Sequence, residues 1–224
     1  TFARGTGLAA RKRRGQIAAL DQMALLTIGE AHLDRIEELR IPNKISYFTD
    51  DLTLIEANRH WLQPHFLDEH GQFDLVFQSW IAEVEGRVIL IDPCTGNGRP
   101  HPISFFNLLD TPFIERMEAL GYRPQDIEFV VCTHLHHDHC GWNTMLRNGR
   151  WVPTFPKAKY IFHKGEYAFW EEMTKKGANP PGNVWTYNCR PIVEAGQALL
   201  VDDTYQLDDT FTLTPTPGHS PRHC

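Results

Sequence analysis

Four of the chain's 12 histidines fall within six positions, in the stretch Thr133-His134-Leu135-His136-His137-Asp138-His139-Cys140-Gly141. This stretch directly follows Phe129-Val130-Val131-Cys132, an apolar run that reads as a buried strand. The fold therefore has to deliver a histidine-rich loop at the end of a sheet strand, where α/β proteins place their sites. The pattern His-x-His-x-Asp-His arises by chance in roughly one chain in 500 of this composition, so coincidence is set aside. Neutral imidazole and carboxylate are good ligands for zinc and similar divalent ions. His134 and His136, two apart on an extended turn, can point to one metal, and Asp138 and His139, adjacent on a tighter turn, can face a second. Two ions about 3.5–4 Å apart can share a hydroxide and polarise a substrate oxygen. His137 occupies the variable slot and is expected to point away.

The flanking sequence predicts alternating strands and helices. Residues 23–42 are ambiguous, because Leu33, Ile36 and Leu39 have helical spacing. Residues 43–75 read as loop, broken by Asn43, Asp50-Asp51, Pro64 and Gly71. Phe77 to Val84, the turn Glu85-Gly86 and Arg87 to Asp92 read as a β-hairpin. Its second strand, Val88 to Ile91, is apolar on both faces and so central in a covered sheet. Thr111 is expected to cap a helix with Pro112 at its first position, carrying the stripe Phe113, Met117, Leu120 and ending at Gly121. Ala158 to Phe162 reads as a strand before a helix near 166–176. Leu199 to Thr216 reads as a strand pair around Asp208-Asp209. Together these predict an α/β or α+β fold.

Composition narrows the function. The chain is 42% hydrophobic and 22% charged, which excludes a disordered, collagen-like or coiled-coil chain. The longest apolar runs, Val88 to Ile91 and Phe129 to Cys132, are far too short to span a membrane. Residues 1–20 hold five basic residues and no acid, so the net charge of −6 reflects a still more acidic body, a poor partner for nucleic acid. Residues 1–22 read as a basic disordered tail, and 23–224 as one domain. A secretory signal fits badly, because Asp21 and Gln22 interrupt the apolar run. Five cysteines without a CxxC pair indicate a reduced, cytoplasmic protein.

A second patch, Thr214-Pro215-Thr216-Pro217-Gly218-His219-Ser220, follows a strand-like run. His219 would be a third imidazole for the first metal, the three-protein-ligand pattern of a catalytic site. His134-x-His136-x-Asp138-His139, followed about 80 residues later by Pro217-Gly218-His219-Ser220, resembles the metallo-β-lactamase superfamily. Asp92 with Thr95-Gly96 resembles that family's early Asp-Thr-Gly turn, with Pro93-Cys94 inserted. Gly141-Trp142-Asn143-Thr144, Phe105 to Leu109 and Trp151 to Pro156 resemble the branch of N-acyl homoserine lactonases and methyl parathion hydrolase.

The resemblance implies an αββα sandwich with a two-metal hydrolytic site between two sheets, and makes residues 24–42 an opening strand. It implies two divalent ions, zinc first, with manganese, iron or cobalt as alternatives. The ligand set is His134, His136 and His219, with Asp138 and His139 on the second ion and Asp138 as proton relay. The family's bridging Asp and late His after the third His have no counterpart among the five residues following His219. His223 and Cys224 lie too close to His219 for those roles. The chain begins at Thr1, not Met, and reads as a fragment at both ends, with the C-terminal part of the fold missing.

Asp92 is a candidate for orienting a ligand imidazole, and Trp142 and Trp151 for walling a substrate pocket. Cys140, His163 and Trp170 read as packing, and His60, His65 and His70 as solvated loop residues. The expected activity is opening of a small-molecule lactone or ester, as in a quorum-quenching lactonase. Phosphotriester or thioester hydrolysis on the same metals is the alternative, as is an inactive metal-binding fragment. No membrane or nucleic-acid partner is expected, and a homodimer is one compatible assembly.

Overall fold

The computed structural model describes residues 26–178 and 181–224. The basic stretch assigned to residues 1–22 lies outside the described residues. The frame is a seven-stranded mixed sheet. It starts with β1 (Leu26–Ile28), β2 (Ala31–Lys44), β3 (Gln72–Val84) and β4 (Arg87–Ile91), each antiparallel to the one before. Then β5 (Phe129–Val131), β8 (Lys159–His163) and β9 (Ala198–Val201) extend the sheet in parallel. The β3–β4 hairpin turns at Glu85-Gly86 as predicted, and β4 is the middle strand.

Residues 31–44 form a strand, so the helical spacing misleads and the resemblance gives the right element. The buried positions are Asp34, Ile36 and Glu38, a strict alternation in which two of three are acids. A register irregularity between Glu37 and Leu39 then shifts the phase, so the Ile36-to-Leu39 spacing of three reflects a bulge. The acids are tolerated because they are hydrogen-bonded: the Tyr122 hydroxyl donates to Asp34 at 2.8 Å, and the Thr95 amide to Glu38 at 2.7 Å.

The segment read as loop contains helix α1 (Leu52–Leu62), whose first turn is capped by Asp51 accepting from the Leu54 amide at 3.0 Å. Only Ile55 is buried, and Leu52, Leu54 and Trp61 are exposed, so no core-facing stripe was available to read. Helix α2 (Phe113–Ala119) forms as expected, with Pro112 itself at the cap position. Thr111 leaves that role and turns its hydroxyl to Asn97 and Glu38.

Strand β5 leads into a four-residue helix α3 (His137–Cys140). A hairpin of β6 (Thr144–Arg147) and β7 (Arg150–Pro153) follows. Helix α4 (Lys164–Lys175) comes directly after β8, and α5 (Arg190–Glu194) precedes β9. The expected pair around Asp208-Asp209 is the short ribbon β10 (Tyr205–Gln206) and β11 (Thr212–Leu213). Its first residues, 199–201, instead join the main sheet as β9.

The sheet is covered on both faces. On one, Ile36, Leu90, Val130 and Tyr160 pack with Phe113 and Met117 of α2 and Ile192 of α5. On the other, Ala82, Ile89, Val131 and Ile161 pack with Leu213 and with Tyr205 and Phe211 of the ribbon. This is a mixed α/β fold with a helical layer, a large sheet and a strip of β structure over the opposite face. Among the described residues, no helix is long and apolar enough to cross a membrane.

Candidate metal centre

Strands β4 and β5 are parallel and adjacent, so the residues after both emerge at one edge of the sheet. Asp92 turns the chain there, and its carboxylate clamps the start of the motif. It accepts from the Thr133 amide and from the Thr133 hydroxyl, each at 2.7 Å. The motif's far end is clamped by the loop after β4. The Gly141 amide donates to the Cys94 carbonyl at 2.6 Å and the Trp142 amide to the Pro93 carbonyl at 2.7 Å. The two residues inserted into the Asp-Thr-Gly turn thus supply the acceptors. Only glycine fits at 141, because a Cβ would lie 1.8 Å from the Thr95 carbonyl oxygen. The buried Arg99 adds a third tie, donating to the carbonyls of Gly141 and Thr144 and to Asn188.

His219 arrives on a segment that folds back over this edge. Gly218 carries φ of +147°, a conformation that L side chains rarely adopt, and the Cys224 amide donates to the Thr133 carbonyl at 2.9 Å. His136 Nδ1 lies 3.0 Å from His134 Nε2 and 3.1 Å from His219 Nε2, and all three nitrogens lie within 4.8 Å of one another. Among the described residues this is the one cluster in which three ligand atoms converge.

The donor chemistry fits a cation. The Thr133 hydroxyl spends its proton on Asp92, so at 3.1 Å from His134 Nδ1 it accepts that ring's N–H. His134 Nε2 then carries a lone pair, 3.0 Å from His136 Nδ1. Burial, reinforced by the neighbouring rings of His139, His136, His223 and His219, pulls the His134 pKa down to about 2. Burial lowers that of His136 as well. Both rings are therefore neutral at pH 7, the form in which an imidazole can ligate a metal. Bonds of 2.0–2.1 Å in a tetrahedral zinc site set ligand nitrogens about 3.4 Å apart, close to the spacings found here.

Asp138 and His139 form a second, smaller group. His139 Nε2 lies 3.5 Å from Asp138 Oδ2, and its Nδ1 lies 3.0 Å from Asp92 Oδ2. Burial disfavours a charged His139 ring, but Asp92 and Asp138 outweigh it and raise the pKa. The His139 ring centroid is 4.1 Å from that of His134, so the two groups adjoin.

His137 is not among the three converging histidines: its ring centroid is 4.3 Å from His101 and 4.5 Å from Phe106, and its Nε2 lies 3.9 Å from Asp138 Oδ1. His223 sits beside the cluster, 4.8 Å from the His134 ring, with Nδ1 2.7 Å from the Thr216 hydroxyl. Trp142 is 5% exposed, stacks on Phe113 and donates to Glu38. Trp151 lies under the Arg99 guanidinium and against Tyr187. The indole that meets the histidines edge-on is Trp170, 5.6 Å from His136. From sequence alone Trp170 reads as packing, and Glu38, Arg99 and Glu166 carry no signal because they form no local motif.

Comparison with known proteins agrees with this architecture. Residues 75–224 match the metallo-beta-lactamase superfamily. The chain is 32% identical over 124 residues to the N-acyl homoserine lactonase AttM of Agrobacterium fabrum, covering 51% of this chain and 40% of that protein. It is 26% identical over 110 residues to an N-acyl homoserine lactonase of Bacillus cereus, covering 48% and 35%. The match thus spans well under half the length of these curated relatives. Among solved structures, a probable metal-dependent hydrolase from Staphylococcus aureus superposes with TM-score 0.65 at 17% identity, covering 88% of this chain and 68% of that one. AidC, a dizinc quorum-quenching lactonase in complex with a product, gives 0.62 at 16% identity, covering 89% and 68%. At these identities the structural likeness speaks for the fold, while the superfamily match over residues 75–224 covers two thirds of the chain, including every residue of both motifs. The chain belongs to the metallo-β-lactamase superfamily.

Proposed function

We propose that the protein is a metal-dependent hydrolase that opens a lactone or ester, with an N-acyl homoserine lactone as the first substrate class to test. The observation that carries this reading is the convergence of His134, His136 and His219, three imidazoles with ligand atoms within 4.8 Å of one another. The likeness to curated N-acyl homoserine lactonases supports the substrate class. His134, His136 and His219 would hold the first divalent ion, zinc by their all-nitrogen set. Asp138 and His139 would contribute to a second. Bound there, such ions supply Lewis-acid polarisation and water activation at neutral pH.

The protein groups divide the remaining work. Asp92 orients His139 through Nδ1 and the His134 loop through Thr133. Asp138 would carry a proton at a carboxylate oxygen to the leaving alkoxide. Five free cysteines support a reducing, cytoplasmic setting. The test is hydrolysis of a panel of acyl homoserine lactones, a phosphotriester and an acyl thioester by zinc-loaded protein. Lactone opening that is lost in a His134→Ala variant is expected. Turnover of the phosphotriester or thioester without lactone opening would replace this reading.

A further inference from the structure

The two segments that carry the candidate ligands come from distant parts of the chain, and one buried carboxylate touches both. Glu166, in the first turn of α4, is 0% exposed. Its Oε1 accepts from the amide of Leu135, the residue between His134 and His136, at 3.4 Å. The same oxygen accepts from Trp170 Nε1 at 3.0 Å, and the Trp170 ring meets His136 edge-on. Its Oε2 accepts at 3.1 Å from the amide of Arg222, three residues past His219. The approach is close because residue 165 is glycine, where a Cβ would lie 2.9 Å from Arg222 Cγ.

We propose that Glu166 is a positioning residue for the metal centre, tying the His134–His136 loop to the His219 segment and adding a buried carboxylate, beyond Asp92 and Asp138, near a cation held by the three imidazoles. The proposal rests on the three-histidine reading above. Two physical arguments carry it. A divalent ion bound by three uncharged ligands leaves its charge uncompensated in a partly buried site, and a nearby carboxylate lowers that cost. A carboxylate accepting three N–H groups from three places also fixes those places relative to one another. Outer partners that orient ligands are worth about 10–100-fold in metal affinity. A carboxylate buried at the start of a helix also has a purely structural use, so the test needs a reading that the fold alone does not move.

That reading is cobalt(II) binding to the full 224-residue chain, followed by the visible absorption of the bound ion, with circular dichroism to verify folding. Glu166→Gln keeps the size but removes the charge and replaces one acceptor with a donor. It is expected to weaken cobalt binding by about 10–100-fold and to shift the absorption bands. Arg222→Pro removes the N–H that Glu166 Oε2 accepts, together with the Arg222 side chain and its 3.5 Å contact with Asp203, and is expected to weaken binding about 10-fold. Arg222→Ala keeps that amide and is expected to bind as the parent does. A folded Glu166→Gln protein with parental affinity and spectrum overturns the proposal. Should Glu166→Gln fail to fold, equal binding by Arg222→Pro and Arg222→Ala overturns it instead. A parent chain whose cobalt binding is unaffected by His134→Ala and His219→Ala overturns the metal-centre reading itself, and this proposal with it.

Discussion

The loop that carries His134, His136, Asp138 and His139 and the segment that carries His219 meet at one point but are built differently. The first is clamped at both ends by the loop after β4, through Asp92 to Thr133 and through Cys94 and Pro93 to Gly141 and Trp142. Arg99 adds further bonds to the Gly141 and Thr144 carbonyls. The second hangs between the ribbon β10–β11 and a few amide contacts, from Cys224 to Thr133 and from Arg222 to Glu166. One ligand loop is thus part of the sheet's own scaffold, and the other is laid across it. Pre-organisation of the first means that the third histidine has to be brought to it, and the ties of the second segment set how well that happens.

Four outcomes would sharpen or break this contrast. The largest effect is expected from His134→Ala, which removes the most buried imidazole of the three. Zinc affinity measured by competition with a chelator should fall by more than the roughly 100-fold typical of losing an outer partner. Next, Asp138→Ala in zinc-loaded protein should reduce lactone turnover by about 100-fold or more, the scale of a lost proton-transfer group. His137→Ala should cost only a few-fold, about 1 kcal/mol or less in the barrier. Equal losses in the two would mean that the ligand register is wrong.

Gly141→Ala attacks the clamped end of the first loop. The added Cβ meets the Thr95 backbone, which cannot yield as a flexible side chain would. Urea denaturation should show a loss of about 1–3 kcal/mol, with zinc binding weakened in any protein that still folds. The smallest effect is expected at the base of the second segment, where Asp208 accepts from Arg87 of β4 at 2.6 Å and caps the ribbon's turn. Hydrogen bonds from the Thr210 hydroxyl and amide hold the Asp208 carboxyl below its ordinary pKa of 3.8, with Arg87 adding to them. Its contribution is therefore fully present above that value and is lost as pH falls through the lower folded one. Asp208→Asn should cost less than about 1 kcal/mol at pH 7. It should also flatten the stability profile below pH 4.

The same contrast decides what the sequence could reveal. The motif of the first loop is legible because its candidate ligands are close in sequence and follow an apolar strand, and the β3–β4 hairpin is legible from alternation and its turn. His219 is legible only beside that motif. The strand at 31–44 hides because its inward positions include Asp34 and Glu38, and a bulge breaks the period. Helix α1 hides because it buries a single side chain. Trp142, a candidate wall residue from composition alone, is held by Phe113 and Glu38, which are 29 and 104 positions away. Glu166 and Arg99 have no local signature, since their partners come from three or more separate segments. Long-range hydrogen bonds are what a single sequence displays least.

The central claim is that His134, His136 and His219 bind one ion together, and zinc X-ray absorption on protein loaded with one equivalent tests it most directly. The account predicts a first shell of nitrogen and oxygen near 2.0–2.1 Å whose outer scattering requires three imidazoles, reduced to two in a His219→Ala variant. A shell containing sulfur near 2.3 Å, or an imidazole count unchanged by His219→Ala, would contradict it.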